Sequence, residues 1–181
     1  SELTVVSDST GFKMTDAGSW INYLYGKNKN YLKAHAAIDA KTGKLIGIVV
    51  TGRDAHDSEM GVFLVEGVAF KVLIADGAYD TRDMFNLVAK KNAIPIIKIR
   101  KNASTRSLGS PLRARSVREV KKIGQGMWKE KYEYGRRWRI ESYFSAVKRS
   151  FGEGTTAKRF DMAQKEVMMK FLLYDQLQQL V

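Results

Sequence analysis

Two aspartates follow short apolar runs that predict buried β-strands. Asp8 stands in the stretch VVSDSTG and Asp76 in the stretch LIADGAYD, and small residues come next in both. Because α/β sheets place their functional sites at the ends of strands, we expect both carboxylates at one edge of a sheet. Asp before Ser or Gly is also common turn chemistry, so either residue alone would indicate only a turn. Together with a third acid, the two aspartates would indicate a functional site.

A third acid lies in the middle of a cationic and aromatic segment, YEYGRRWRIESYFSAVKR. If the segment is one helix, at about 100° per residue four side chains fall within roughly 60° of one another: Tyr134, Arg137, Glu141 and Lys148. An exposed helix with i,i+4 ion pairs, each worth about 0.2–0.5 kcal/mol, would explain the same pattern. If Glu141 instead meets the two aspartates, three ionised carboxylates form an all-oxygen site that suits Mg²⁺ or Mn²⁺.

The elements that must position these acids are read from hydrophobic periodicity and turn signals. Strands are predicted at 3–8, 31–40, 44–52, 71–80 and 93–100, and helices at 57–68, 81–92, 115–123, 131–151 and 161–181. The polar, basic stretch from 101 to about 115 predicts a loop. Three antiparallel strands followed by strand–helix alternation predict an α/β fold of the ribonuclease H-like type, a mixed five-stranded sheet flanked by helices. Other α/β sheets share this pattern.

Composition narrows the class of partner. Lys and Arg number 31 against 19 Asp and Glu, a net charge of +12, and the cations crowd between Lys98 and Arg159. A one-sided basic field favours nucleic acid over a role in general solubility. The chain has no cysteine, so a disulfide framework and a thiolate metal site are excluded and a cytoplasmic setting is expected. No apolar run reaches the roughly 20 residues of a membrane span.

The predicted helix that contains Glu141 has a characteristic spacing of polar residues. Tyr134, Arg137, Glu141 and Lys148 are separated by two, three and six residues. These intervals match those of a large branch of DDE insertion-sequence transposases, and WRIESYFSAVKRSFGE resembles the third-acid helix of that family. The stretches VVSDSTGFK and LIADGAYDT resemble its first-Asp and second-Asp strands. Residues 31–60 resemble its second and third strands and the helix that follows, so the resemblance covers nearly the whole chain.

The resemblance implies a function and a set of roles. Asp8, Asp76 and Glu141 would be the catalytic acids and the ligands of two divalent ions, Mg²⁺ or Mn²⁺. The reaction would be DNA strand cleavage at the ends of an insertion element, followed by transfer of the freed 3′-hydroxyl to target DNA. The remaining members of the motif would contact DNA: Tyr134, Arg137 and Lys148.

The resemblance also implies an organisation. Residues 1–181 would form a single catalytic domain, without the N-terminal region by which relatives recognise transposon ends. We expect a homodimer on DNA, in the cytoplasm of a prokaryotic cell at the nucleoid, and no membrane partner. Two alternatives stay open: a metal-dependent nuclease that cuts without strand transfer, and an inactive basic remnant that only binds DNA.

The other residues that could be functional are predicted to have structural roles. His35 is predicted to be a satisfied structural histidine, and Asp57 an N-cap that leaves no chemical role for the neighbouring His56. Asp80, four residues after Asp76, is a weak substitute ligand. Core positions are predicted for Trp138, Phe144, Met162, Met168 and Met169. We expect the C-terminal helix to pack on its own sheet.

Overall fold

The computed structural model describes residues 3–14 and 31–180. The strands are β1 (Thr4–Met14), β2 (Tyr31–Asp39), β3 (Leu45–Gly52), β4 (Val72–Ala75), β5 (Ile94–Ile97) and β6 (Gly154–Thr155). The helices are α1 (Asp57–Glu66), α2 (Arg82–Lys90), α3 (Pro111–Ile123), α4 (Gln125–Lys131), α5 (Trp138–Phe151) and α6 (Phe160–Gln179). Two 3₁₀ turns, Gly77–Tyr79 and Tyr134–Arg137, complete the regular structure of these residues.

The strands form one mixed sheet in the order β3-β2-β1-β4-β5. The first three strands are antiparallel, and β4 and β5 run parallel to β1. This arrangement confirms the predicted α/β fold of the ribonuclease H-like type. The sheet also contains a sixth strand that the sequence did not predict, since the two-residue β6 pairs with the end of β1.

Helices cover both faces of this sheet, which explains why its strands are apolar. Alternate residues of β1 point to opposite faces. Phe12 packs edge-on against Phe171 of α6, with ring centroids 5.9 Å apart. On the other face Gly61 of α1 lies against Tyr79. The short β4 reads VLIA without polar interruption because it is buried between neighbouring strands.

Three predicted boundaries differ from the structure. β1 continues to Met14, well beyond the predicted end at Asp8. α3 begins at Pro111, inside the predicted loop, because proline suits the first turn of a helix where its missing N–H costs nothing. The predicted helix 131–151 is interrupted at Glu133, which has a left-handed φ of 49° and precedes the 3₁₀ turn Tyr134–Arg137. The pattern was read as one helix because its aromatic and basic residues continue across this break.

The start of α1 corrects the interpretation of Asp57. The N-cap is His56, and its side chain makes no capping bond. Asp57 instead accepts a hydrogen bond from Lys33 at 2.8 Å and lies 3.1 Å from the ring of His35. Burial opposes ionisation, but the bonds from His35 and Lys33 outweigh it and hold the pKa of Asp57 well below its usual range. His35 is buried and also bonds Thr51, as expected of a structural histidine.

The C-terminal helix packs on its own sheet, as predicted. Gln164 donates to the carbonyl of Val50 at 2.7 Å, and Asp175 accepts from the backbone N–H of Leu45 at 2.7 Å. Its buried stripe is Ala163, Val167, Lys170 and Phe171. No helix in the described part of the chain combines the length and the apolar character that crossing a bilayer requires.

Some of the predicted core positions are wrong. Met162 and Met169 are 44% and 51% exposed, because they lie on the side of α6 opposite its buried stripe. Trp138 at the start of α5 is 58% exposed. Phe144, on the same helix, is buried as predicted.

Replacement of Gly61 by alanine is expected to destabilise the protein, although alanine is the better helix former. A Cβ on Gly61 would lie 2.3 Å from Cε1 of the buried Tyr79, so a ring in the core would have to shift. We expect the overpacking cost of about 1–3 kcal/mol to exceed the gain of about 1 kcal/mol in helix propensity. The free energy of unfolding from urea titration measures the balance.

Gly126 supplies the matched control. It also lies within a helix, α4, but a Cβ there would meet no atom within 4 Å. Gly126→Ala should therefore stabilise the protein by roughly 0.5–1 kcal/mol. Equal effects of the two substitutions would mean that contact with Tyr79 does not govern Gly61.

Candidate active site

The sheet topology brings the two aspartates together. β1 and β4 are adjacent and parallel, and their last paired residues are Ser7 and Ala75. Asp8 and Asp76 are the next residues of their strands, so both lie at the point where β4 leaves β1. Asp8 shares a face of β1 with Phe12, which is the face covered by α5 and α6.

The carboxylate of Asp76 is fixed by the turn that follows it. The backbone N–H of Ala78 donates to Oδ1 of Asp76 at 2.7 Å, so Asp76 caps the 3₁₀ turn Gly77–Tyr79. Among residues 3–14 and 31–180, no hydrogen bond reaches its Oδ2. This oxygen remains available to a ligand at the edge of the sheet.

Arg137 connects two of the acids. One guanidinium nitrogen, Nη1, donates to Oδ2 of Asp8, and the other, Nη2, donates to Oε1 of Glu141. The side chains of Asp8, Arg137 and Glu141 are 14%, 23% and 54% exposed, so the bridge passes from the buried strand to the helix surface. A strand acid and the helix acid predicted from sequence therefore meet through a shared cation.

The pKa of Asp8 is shifted by its burial and by the charged groups around it. Burial raises the pKa of Asp8 from 3.8 to about 6, and the carboxylates of Asp76 and Glu141 add to the rise. The N–H of Ser9, which donates at 2.8 Å, and the guanidinium of Arg137 offset part of it. Asp8 therefore binds a proton below about pH 6, and at neutral pH its charge is balanced in part by the Arg137 guanidinium.

The raised pKa of Asp8 predicts how its contribution to the free energy of unfolding changes with pH. Because its pKa is higher in the folded protein, the folded state binds a proton more tightly than the unfolded chain between pH 3.8 and about 6. The contribution of Asp8 to stability should therefore fall as pH rises through this window, by up to about 3 kcal/mol, and stay level above it.

Asp8→Asn removes this titration, so the variant should match the wild type near pH 4 and exceed it above about pH 6. Urea unfolding across this range, in the presence of a chelator, measures the difference. Parallel curves for the two proteins would contradict the assignment of a raised pKa to Asp8.

The donor set fits a divalent ion in its chemistry. All three acids offer oxygen ligands, which Mg²⁺ and Mn²⁺ prefer, and a cation already lies between two of them. Within the described ranges, however, no three acid, histidine or cysteine side chains are grouped tightly enough to hold an ion. Ligation by all three carboxylates would require Arg137 to release Asp8 and Glu141.

The other predicted site residues lie on either side of this bridge. The Tyr134 ring is only 8% exposed and packs on Trp128, with centroids 5.6 Å apart, while the Arg137 guanidinium lies 6.0 Å above it. Burial raises the pKa of Tyr134 to about 12. Lys148, two turns after Glu141, lies over the ring of Phe12 at 5.3 Å and forms no ion pair within the described residues.

Sequence reasoning missed the support of the Asp76 turn. Asp80 is fully buried and accepts two hydrogen bonds from Arg113 of α3, at 2.6 and 3.1 Å. The backbone N–H of Arg100 donates to the same carboxylate at 3.0 Å, and its guanidinium bonds the carbonyls of Gly77 and Ala78. Asp80 is therefore not free to act as a substitute ligand. We call Asp80, Arg100 and Arg113 the turn clamp.

The sheet order, with one acid within β1, a second directly after β4 and a third on a covering helix, defines a ribonuclease H-like domain with a cluster of carboxylates. The sequence model of the family described as "Transposase DDE domain" matches residues 1–175, and the chain belongs to that family. Membership gives the domain a transposase-type function, with DNA as its substrate class. Divalent metal ions are the general cofactors of this family.

Proposed function

We propose that this domain cuts DNA strands at the ends of an insertion element and joins the freed 3′-hydroxyl to target DNA. The observation that supports the proposal is that Asp8 and Asp76 follow the last pair of the adjacent strands β1 and β4, and that Arg137 joins Asp8 to Glu141. Family membership supports it.

Asp8, Asp76 and Glu141 are proposed to hold two divalent ions. When bound, such ions activate the attacking hydroxyl and stabilise the leaving oxygen of a phosphodiester. Asp76 would present its unbonded Oδ2 from a turn that is already fixed. Glu141 lies on the exposed side of α5, so it can reach the edge of the sheet while remaining open to DNA.

Arg137 and Lys148 are proposed to bind phosphates near the reacting bond. Arg137 has two donors aimed at anions, and a phosphate can replace its carboxylate partners in the same geometry. Lys148 has no carboxylate partner within the described residues and would hold a phosphate further along β1. Tyr134 is proposed to contact that DNA and to position the Arg137 guanidinium, which lies over its ring.

A homodimer, with one copy on each element end, is part of the same proposal, as is action on nucleoid DNA in the cytoplasm of a prokaryotic cell. The dimer would hold the two element ends together for joining. Analytical ultracentrifugation with and without an end-containing duplex measures the oligomeric state.

The decisive experiment supplies a pre-cleaved duplex end with a 3′-hydroxyl, a supercoiled target plasmid, and Mg²⁺ or Mn²⁺. Joined plasmid–end product is the expected result. Nicked plasmid without joining would favour the nuclease that does not transfer strands. Binding with neither product would favour the inactive DNA-binding remnant.

A further inference from the structure

We infer that a basic groove, separate from the acids, binds the phosphate backbone of the DNA that flanks the reacting bond. The inference rests on the proposed function, because it takes the substrate to be duplex DNA. The groove has a volume of about 610 Å³. Its walls are the start of β5, one side of α3, and α4 together with Tyr132.

The side chains that line the groove carry more positive than negative charge. Its charged residues are Arg115, Arg118, Lys122, Lys131 and Glu119. The only acid among these lining residues, Glu119, already accepts from Lys131 at 2.5 Å and from the hydroxyl of Tyr132 at 2.9 Å. The three remaining cations therefore have no carboxylate within salt-bridge distance in the described structure.

These three cations form one row. Arg115, Arg118 and Lys122 are all exposed and, at 100° per residue, lie within roughly 60° of one another on α3. Glu119 lies on the same side of α3 and offsets part of their mutual repulsion, but it is already bonded to Lys131 and Tyr132, so the row keeps a net positive charge. A polyanion in the groove would neutralise the positive charge that remains, and the phosphates of a nucleic-acid backbone supply such a row of negative charges.

Aromatic contacts connect the groove to the acids. Trp128 in the groove wall packs against Tyr132, with ring centroids 5.5 Å apart, and against Tyr134 at 5.6 Å. Tyr134 in turn lies under Arg137, which bonds Asp8 and Glu141. Two ring contacts therefore separate the groove wall from the arginine that bonds the acids, which places the groove beside the candidate site.

The lining favours phosphates over the other occupants of such a groove. Trp128 is only 2% exposed, so its face is not open for a base to stack. β5 is the outer strand of the sheet, but Pro95 at its second position lacks an N–H, which disfavours the addition of a peptide strand. Contacts of arginine and lysine to phosphates position a duplex without reading its sequence, so this groove is proposed to hold DNA of any sequence.

The test compares two triple variants of equal net charge. The groove variant is Arg115→Gln, Arg118→Gln, Lys122→Gln. The control variant is Lys41→Gln, Lys44→Gln, Lys165→Gln, three exposed cations on the β2–β3 turn and on α6, which packs on β3 at the other edge of the sheet. Fluorescence anisotropy with a labelled duplex of mixed sequence gives the affinity from about 50 to about 200 mM NaCl, and hence the slope of log K against log salt.

The groove variant is expected to lose about 2–3 from the magnitude of that slope, and about tenfold or more in affinity at low salt, because each phosphate contact contributes about 0.9 to the slope. The control should keep the slope within about 0.5 of the wild type, since it changes only the distant field. A groove variant that matches the control overturns the inference, as does a wild-type protein that does not bind the duplex.

The outcome is separable from that of the proposed function. Strand joining by the wild-type protein reports on the acids, whereas the salt slope is measured without metal and reports on the groove alone. A lowered slope together with a wild type that joins no ends would sustain the groove and contradict the transposition reaction. An unchanged slope with normal joining would do the reverse.

Discussion

Replacing Asp76 with asparagine is expected to lower the rate of metal-dependent DNA cleavage by at least about 10³-fold, as the loss of a central catalytic group does in other enzymes. Asparagine has the same shape and keeps the side-chain oxygen that accepts from Ala78, so the turn should persist. What it loses is the charge of the oxygen proposed to hold an ion. Single-turnover cleavage of an end-containing duplex measures the rate.

The control for this substitution is Asp83→Asn, the same isosteric change at an exposed position in the first turn of α2. It should leave the rate within about twofold, because it alters only a helix-terminus charge worth about 0.3–1 kcal/mol. Duplex affinity without metal should be similar in both variants. Cleavage by Asp76→Asn at a rate near that of Asp83→Asn would remove Asp76 from the site.

Calorimetric titration with Mn²⁺ gives a second readout on the same residues. Asp76→Asn and Glu141→Gln should both weaken binding if a strand acid and the helix acid share the ions. Undiminished binding in both variants would place the metal elsewhere. Repeating the titration with an end-containing duplex covers the case in which DNA phosphates complete the ligand set.

Breaking the turn clamp is expected to produce the largest loss of stability. Arg113→Ala leaves the fully buried carboxylate of Asp80 without its two guanidinium bonds, and an uncompensated buried charge costs about 3–5 kcal/mol. Urea unfolding measures the loss. The companion Arg115→Ala changes an exposed arginine two residues further along the same helix, and its effect should stay within about 0.5 kcal/mol.

A double-mutant cycle separates the ion pair from simple loss of packing. Adding Asp80→Ala to Arg113→Ala should recover part of the lost stability, because it removes the buried charge that has lost its guanidinium partner. Additive effects of the two changes would contradict the clamp. Since Asp80 and Arg100 hold the turn that Asp76 caps, a folded clamp variant should also cleave more slowly while binding DNA as before.

The sequence predicted the elements of this sheet better than their junctions. Asp8 and Asp76 were identified because short apolar runs end beside them, which is local information. Their adjacency depends on the parallel pairing of β1 with β4, residues nearly seventy positions apart, and reached the prediction only through the order of elements and the family resemblance. The site residues could be named from the motif, but their contacts could not.

Two details show why those contacts escaped prediction. The i,i+4 pair of Arg137 with Glu141 follows from helical spacing, whereas the bond from Arg137 to Asp8 depends on how α5 packs against β1. Asp80 looked like a spare ligand because its partner, Arg113, lies 33 positions away in a stretch that was read largely as a loop. Burial and pairing of this kind arise only when distant segments meet.

The Arg137 bridge has a consequence for the energetics of assembly. A divalent ion that enters between Asp8 and Glu141 must compete with a guanidinium already bound there, so its apparent affinity is reduced by the fraction of molecules in which Arg137 has let go. A DNA phosphate that draws Arg137 away increases that fraction. By thermodynamic reciprocity, ion and DNA then strengthen each other's binding by the same factor. The domain would hold its ions weakly until a strand is in place, which couples metal loading to the presence of substrate.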